Sequence, residues 1–369
     1  MTPHEMMADV KRSQEARKWQ ASKRVVNQTT GQESTTYTPG RAEYKALDGG
    51  QLARRSTLVD AEGNVIQQWN IEKPEAAAQK AALDATLEAF REDGPRAPVI
   101  DCFQPYQSDD DLLVGYPIGD HHIGMLSWWR ETGGSYDLDI AEKLLSAAVD
   151  HLVEKSDNGK HAIVATLGDF LHYDSMQAVT PKHGHILDQD SRAAKMVSAA
   201  ARAMIHTIER VAEKHEFVHV MIEFGNHDPF STLWLMELIR IRYEANPRIT
   251  VDTSPGGFHY HRFGQNLIAT HHGDTVKKLA NLPLIMAADR PEDWGETTHR
   301  VWWTGHKHSE LREAFNGCTV EQFPVLPPPD AYSHMLGYHK VERRMQSIVF
   351  HKEMGEVARY SFRPEMMAK

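Results

Sequence analysis

The sequence has little cysteine and no long apolar run. Only two of its 369 residues are cysteines, Cys102 and Cys318, and they lie far apart without a Cys-x-x-Cys spacing. We therefore expect neither a disulfide framework nor a thiolate metal site, and a reducing cytoplasm is the predicted compartment. The apolar runs are far shorter than the roughly 18 residues that a membrane span needs. Residues 1–24 also lack the apolar segment of a signal peptide, so no membrane association is predicted.

Positive charge is also scarce. The chain has 41 Lys and Arg residues against 51 Asp and Glu, which gives a formal net charge of -10 at pH 7. This balance excludes a protein coated in positive potential, but nucleic acid stays open as a partner because local basic patches or bound cations neutralise phosphates. Histidine, by contrast, is abundant, with 22 residues. Because histidine is a frequent metal ligand and acid–base group, its positions in the chain bear on function.

Residues 1–97 differ from the rest and are predicted to form a small α+β extension. We expect a short basic helix over 5–26, a polar linker over 27–40, a hairpin over 54–70 and an Ala-rich helix over 75–93. The extension contains no chemical motif that we can identify, so its role stays open. A catalytic domain is predicted over residues 98–369.

In residues 98–369, strand patterns alternate with helix patterns. The predicted strands cover 112–120, 161–169, 218–224, 266–274, 300–309, 346–352 and 357–362, and the predicted helices cover 139–156, 190–216 and 231–247. The second helix is predicted to open at Asp190 or Ser191. Alternation of this kind is typical of an α/β domain.

Five of these strands end in polar residues. The ends are Asp120-His121-His122, Gly168-Asp169, Gly225-Asn226-His227-Asp228, His271-His272-Gly273-Asp274 and Gly305-His306-Lys307-His308. In open α/β sheets, ligands bind beyond the carboxyl ends of the strands, so we expect these groups to meet in one crevice. Strand alternation is expected to put Asp120 and His122 on the same side.

Oxygen and nitrogen ligands without thiolate favour divalent ions. We predict two ions, with Mn²⁺ the first choice and Fe, Zn, Ni or Mg as alternatives. The Asp169 carboxylate is suited to bridge them, and a water between two such ions loses its proton near neutral pH and becomes a nucleophile for phosphorus. The composition of the crevice therefore predicts phosphoester hydrolysis by a metal-bridging hydroxide.

The motif order D-x-H, GD, GNHD, H-G and G-H-x-H resembles the calcineurin-like metallophosphoesterase superfamily over residues 112–310. The resemblance implies a two-sheet β-sandwich flanked by helices and a dinuclear centre. It assigns Asp120, His122, Asp169 and His308 to one ion, and Asp169, Asn226, His272 and His306 to the other. It also makes His227 the residue that protonates the leaving oxygen or stabilises the transition state, with Asp228 orienting its ring.

Within the superfamily, "IGDHHIG", "GNHD", "HHGD" and "GHKH" are similar to SbcD-type DNA-repair exonucleases and to phage-encoded relatives. This similarity implies a nuclease acting on nucleic acid in a bacterial or phage-infected cell. The form "GNHDP" departs from the GNHE of Ser/Thr protein phosphatases, and residues 311–369 contain no obvious docking site for a coiled-coil ATPase. Two alternatives stay open: a phosphodiesterase or phosphatase of a small nucleotide, and a non-catalytic protein-binding scaffold. A homo-oligomer is compatible with the sequence.

A second group of residues is predicted to contact the substrate. His172 follows Asp169 closely, and the loop over 180–192 adds His183, His185 and Arg192; a plain loop with a helix cap is the alternative. The remaining candidates are predicted to have structural rather than functional positions. His121 and His271 should point away from the crevice, and Trp302 and Trp303 should lie in the core rather than stack on bases.

Overall fold

A computed structural model describes residues 19–26, 33–39, 50–59, 65–74, 108–181, 184–335, 337 and 342–368. Contacts within the chain separate two units, Met1–Glu92 and Asp93–Lys369. The described part of the first unit consists of two antiparallel strand pairs. Strand β1 (Trp19–Val26) pairs with β2 (Glu33–Pro39), and β3 (Gly50–Val59) pairs with β4 (Val65–Pro74).

The β3–β4 pair confirms the predicted hairpin, whereas the predictions before it were wrong where they can be compared. Trp19–Val26 was predicted as the end of a helix and Glu33–Pro39 as a linker, yet the two segments form a strand pair. Helix propensity is a weak preference, and the backbone ladder between these two segments, both of which contain β-prone Val or Thr residues, overrides it. The rest of the predicted basic helix and the Ala-rich helix over 75–93 lie outside the described residues.

The second unit contains two sheets. The six-stranded sheet has the order β15 (Gly355–Phe362), β14 (Met345–His351), β5 (Asp109–Ile118), β6 (Gly159–Leu167), β7 (Phe217–Glu223) and β8 (Ile249–Val251). The five-stranded sheet has the order β12 (Leu311–Phe315), β13 (Cys318–Gln322), β11 (His299–Thr304), β10 (Asn266–His271) and β9 (His259–Phe263). Strands β5 to β8 are parallel to one another, and so are β10, β11 and β13.

Seven helices accompany the sheets in the described residues. They are α1 (Trp129–Thr132), α2 (Leu138–Lys155), α3 (Ala193–Ala212), α4 (Pro229–Tyr243), α5 (Leu282–Asp289), α6 (Pro291–Glu296) and α7 (Ala331–Met335). Short 3-10 helices cover Leu279–Asn281 and Pro364–Ala368. None of the described helices combines the length and the apolar content that crossing a membrane requires.

The predicted two-sheet sandwich flanked by helices is confirmed. Side chains from both sheets, among them Leu113, Ile163 and Trp303, form one buried cluster. Helices α2, α3 and α4 cover the outer face of the six-stranded sheet, and α5 packs with Trp302 on the outer face of the other. Trp302 and Trp303 therefore lie in the core, as predicted, on opposite faces of β11 because adjacent strand residues alternate.

The predicted start of the second long helix was wrong. Helix α3 follows Arg192 and has no side-chain cap. The Asp190 carboxylate instead accepts the backbone N–H of Leu138 at the start of α2, 3.0 Å away. An aspartate near a helix start caps whichever free N–H group the fold brings to it, and here that group belongs to a helix distant in sequence.

Candidate metal centre

The first group of converging side chains is Asp120, His122 and His308. Each offers one ligand atom, and these atoms lie within 4.8 Å of one another. His308 Nε2 is 3.0 Å from Asp120 Oδ2 and 3.2 Å from His122 Nε2. Asp120 and His122 are buried, while His308 is partly exposed. The group combines the oxygen and nitrogen donors that divalent ions accept.

A second group consists of Asp169, His272 and His306, whose ligand atoms also lie within 4.8 Å of one another. His272 Nε2 is 3.3 Å from Asp169 Oδ2 and 3.1 Å from Asn226 Oδ1. The structure thus brings together all seven residues that the resemblance assigns to metal ions. They fall into two neighbouring sets, which match the two halves of the implied dinuclear centre.

Backbone hydrogen bonds hold the two groups in place. Both oxygens of Asp120 accept the N–H of His306, at 3.0 and 2.9 Å, so this carboxylate links the first group to the second. His272 Nδ1 donates to the Leu167 carbonyl over 2.8 Å. This bond keeps the proton of the neutral ring on Nδ1. The lone pair is then on Nε2, which points at the oxygens of the second group.

The left-handed region of backbone space contains four of these seven residues. His122, Asp169, His306 and His308 have φ angles of 47°, 48°, 70° and 51°. They are four of the five non-glycine residues with positive φ in the described chain, and such residues concentrate at functional sites. Asp120 and His122 both follow the end of β5 at Ile118, so the turn at His122, rather than the expected strand alternation, brings them together.

The electrostatics of the second group favour a bound cation. Burial opposes charge on His272, but the Asp169 carboxylate outweighs it and raises the pKa of the ring well above its ordinary value. Burial likewise favours a neutral Asp169, yet His272 holds the pKa of this carboxyl well below its ordinary value. His272 Nε2 faces oxygen atoms of Asn226 and Asp169, so a proton or a metal ion belongs between them. The donor set therefore fits divalent metals.

His227 also reaches this crevice, but Asp228 does not orient its ring as predicted. His227 Nδ1 donates to the His172 carbonyl over 2.8 Å. The buried Asp228 carboxylate instead accepts the N–H groups of Gly225 and Leu171, each at 2.9 Å. A fully buried carboxylate needs donors on both oxygens, and the two backbone groups supply them. Asp228 therefore shapes the turn that carries His227.

A cavity of about 640 Å³ opens over the two groups. Of the predicted substrate contacts, His172 and His185 line it. His172 is buried, with Nδ1 3.3 Å from His122 Nδ1 and its ring stacked on His227. Arg192 is exposed at the start of α3 and is not among the residues that line the cavity; its carbonyl accepts the N–H groups of Lys195 and Met196 in the first turn of the helix. His183 lies outside the described residues.

The other wall of the cavity was missed by sequence analysis. It is formed by Pro327, Pro328, Pro329, Asp330, Tyr332 and Ser333, and Asp188 and Asp274 also line the cavity. The stretch "PVLPPPD" covers residues 324–330, shortly after β13. Proline fixes the backbone angle φ, so consecutive prolines after a strand indicate a rigid wall, and this was the available sequence feature.

His121 and His271, which were predicted to be structural, point away from the cavity. His121 Nε2 is 3.0 Å from the Ala141 carbonyl oxygen in α2, and His271 Nδ1 is 2.7 Å from the Gly257 carbonyl oxygen. Each ring is held by a backbone carbonyl on the far side of the strand end. Adjacent histidines at these two strand ends therefore have different positions, one in the crevice and one in the core.

No protein-family model matches the chain, and no curated protein matches it. Among solved structures, a dimetal phosphatase from Danio rerio is 9% identical, with 69% of this chain and 99% of that chain covered and a TM-score of 0.37. A predicted phosphoesterase from Streptococcus pneumoniae is 9% identical, with 68% and 97% covered and a TM-score of 0.27. A putative 5'-nucleotidase from Staphylococcus aureus is 11% identical, with 68% and 54% covered and a TM-score of 0.31. Scores this low do not establish a common fold, so function rests on the residues of the site.

Proposed function

We propose that this chain is a phosphoesterase that depends on two divalent metal ions, Mn²⁺ first among them, and that it cleaves phosphodiesters of nucleic acid. The observation that carries the proposal is the pair of adjacent groups, Asp120-His122-His308 and Asp169-His272-His306, at the ends of strands from both sheets. Metal sites of this donor type recur in hydrolases that attack phosphorus.

In this proposal Asp120, His122, Asp169 and His308 hold one ion, and Asp169, Asn226, His272 and His306 hold the other. Two such ions supply Lewis-acid activation of a water and neutralise charge on the phosphoryl oxygens. The chain's own residues fix the donors. The Leu167 carbonyl orients His272, and the His306 N–H holds Asp120.

His227 is proposed as the acid that assists the leaving group. Its Nδ1–H is already donated to the His172 carbonyl, so Nε2 is the nitrogen that exchanges a proton with the substrate. In the imidazolium form, Nε2–H protonates the departing oxygen while Nδ1–H stays on the carbonyl. The stacked His172 ring keeps His227 facing the cavity.

A small nucleotide phosphoester is the second candidate substrate, because the cavity wall favours it. Asp188, Asp274 and Asp330 line the cavity, and the described lining residues include no Lys or Arg. Carboxylates at the rim repel additional phosphates of a polymer. A short substrate places fewer phosphates against this wall than a long one does.

The test is a substrate panel on protein stripped with EDTA and reloaded with Mn²⁺. Single- and double-stranded DNA, cyclic nucleotides and bis-p-nitrophenyl phosphate are offered in turn, and metal content is measured in parallel. We expect hydrolysis only after reloading, and we expect His227→Asn to lower kcat by about 100-fold or more without changing metal content. His206→Asn, on α3 and away from the cavity, is the matched control.

The outcomes separate the candidates. Turnover of small esters without cleavage of DNA selects the nucleotide substrate. An unchanged kcat in His227→Asn removes that residue from the chemistry. If no divalent metal supports hydrolysis of any ester, the proposal is wrong and the scaffold hypothesis takes its place.

A further inference from the structure

Two adjacent tryptophans are exposed next to the cavity. Trp128 is 54% exposed and Trp129 is 59% exposed. The Arg130 guanidinium lies 5.7 Å from the Trp128 ring centroid and 5.5 Å from that of Trp129. Single exposed apolar residues are ordinary, but two indoles grouped with a cation form a surface that indicates binding. We call Trp128, Trp129 and Arg130 the indole surface.

The indole surface is fixed to the folded frame. The Thr132 hydroxyl donates to the Trp128 carbonyl over 3.1 Å, and Ser127 Oγ and Thr132 Oγ1 are 2.7 Å apart. Helix α1, which begins at Trp129, packs against α7. The indoles are therefore presented at a set position, so a partner does not bear the entropic cost of ordering this segment.

The same segment forms part of the cavity rim. Met125 lines the cavity, and the next residue, Leu126, donates its N–H to the Asp188 carbonyl over 3.0 Å. Ser127 Oγ donates to the Pro329 carbonyl over 2.9 Å. Asp188 and Pro329 both line the cavity, as does Tyr332 of α7, a residue that is 57% exposed. The indole surface therefore follows, in the chain, a segment that lines the cavity and is hydrogen-bonded to two of its lining residues.

We propose that the indole surface stacks on unpaired bases of a single-stranded nucleic acid whose phosphodiester enters the cavity. This inference rests on the proposed function and names its substrate as single-stranded. Every base has an aromatic face, so stacking on indoles gives affinity without sequence preference. Arg130 supplies the positive charge for the adjoining phosphate.

Two features favour nucleic acid over a protein or membrane partner. The exposed rings come with a cation, Arg130, and α1 contains only one acidic residue, Glu131. The segment directly before them lines the cavity in which phosphoester cleavage is proposed. This position also suits the acidic cavity wall, because a strand held by its bases outside the cavity needs to insert only one phosphodiester.

The experiment measures binding and cleavage separately on the full chain. Fluorescence anisotropy with a labelled oligo-dT gives Kd, and kcat/KM is measured for the same oligonucleotide and for bis-p-nitrophenyl phosphate. The variants are Trp128→Ala, Trp129→Ala and Arg130→Ala. Phe217→Ala is the matched control, because Phe217 is also an exposed aromatic residue beside a cation, with Lys160 Nζ 5.7 Å from its ring centroid. Phe217 is the first residue of β7, at the end of the strand away from the candidate site.

Each tryptophan variant is expected to raise Kd for oligo-dT by about 10-fold and to leave kcat/KM for the small ester unchanged. Phe217→Ala should change neither quantity, and circular dichroism with thermal melting confirms that each variant is folded. Unchanged oligo-dT affinity in both tryptophan variants overturns the inference, even if the small ester is hydrolysed. If only vesicle binding or self-association is lost in these variants, another partner occupies the surface and the inference is wrong.

A failure of the proposed function gives a different result. In that case no ester is hydrolysed with any metal, whereas the binding of oligo-dT and its loss in Trp128→Ala are still measurable. The two proposals are therefore decided by separate readouts.

Discussion

The tightest contact of the candidate site is at Gly225. A Cβ atom at this position would lie 1.9 Å from Asp169 Oδ1 and 2.3 Å from the Asp169 backbone nitrogen. Neither distance is possible for real atoms, and the second cannot be relieved by a side-chain rotation. The proposed bridging carboxylate therefore fits only because residue 225 has no side chain.

At the residue scale we predict that Gly225→Ala displaces Asp169. The free energy of unfolding should fall by roughly 1–3 kcal/mol, as for an overpacked core, and metal content and kcat should fall with it. Gly256→Ala is the control, because nothing lies within 4 Å of a Cβ added there. Urea unfolding together with metal analysis provides the check, and a Gly225→Ala protein with full metal content contradicts the prediction.

At the scale of elements, helix α4 begins directly after the turn that carries His227. Its first N–H groups are capped by a residue from another segment: Asp174 accepts from Phe230 at 2.8 Å and from Ser231 at 2.6 Å. Asp174 is two residues after His172, whose carbonyl oxygen accepts the Nδ1–H of His227. One aspartate thus fixes the helix start and the segment that orients the proposed acid.

We predict that Asp174→Ala loses both contributions. Removing the cap should cost about 0.5–2 kcal/mol of stability, and the loosened His172 carbonyl should lower kcat by as much as about 100-fold. Asp137→Ala is the matched control, since Asp137 caps α2 by accepting the Ile140 N–H at 2.8 Å. We expect the control to lose similar stability with normal kcat; equal kcat in both variants would refute the positioning function of Asp174.

At the scale of the whole unit, a buried polar group spans the two sheets. Glu223 at the end of β7 faces the other sheet, where the Thr270 hydroxyl is 3.5 Å from Glu223 Oε2 and His259 Nε2 is 3.9 Å from it. Glu223 is fully buried, and burial raises its pKa from 4.5 to about 8. The folded protein therefore keeps this carboxyl protonated at neutral pH, while the unfolded chain ionises it.

This difference gives a pH dependence of known sign. Between about pH 4.5 and 8 the folded state binds the proton that the unfolded state has lost, so stability falls as the pH rises. The Glu223→Gln variant has no titratable group at this position, so its stability lacks this pH dependence. Measured by urea unfolding without metal from pH 5 to 8, the stability of the wild type relative to this variant should fall by at most about 1.4 kcal/mol per pH unit. A difference that is constant over this range would show that Glu223 is ionised in the fold.

Much of the second unit was predictable because its information is local. The periodicity of apolar residues predicted β5, α2, β6 and β7. The polar residues at the strand ends predicted which side chains lie at the site. The errors arose where a partner distant in sequence decided the outcome. Trp19–Val26 is a strand because Glu33–Pro39 pairs with it, and Asp190 caps α2 because the fold carries it there.

The sequence by itself determined which residues lie at the carboxyl ends of the strands, since residues that follow parallel strands emerge at one edge of their sheet. The packing of the two sheets then brings the two edges together. Only the tertiary structure decided how they are held: the left-handed backbone at His122 and Asp169, the carbonyl that orients His227, and the exposure of Trp128 beside the cavity. The physical reason is that strand periodicity depends on neighbours in the chain. Burial, backbone pairing and left-handed turns depend on residues that only the folded chain brings into contact.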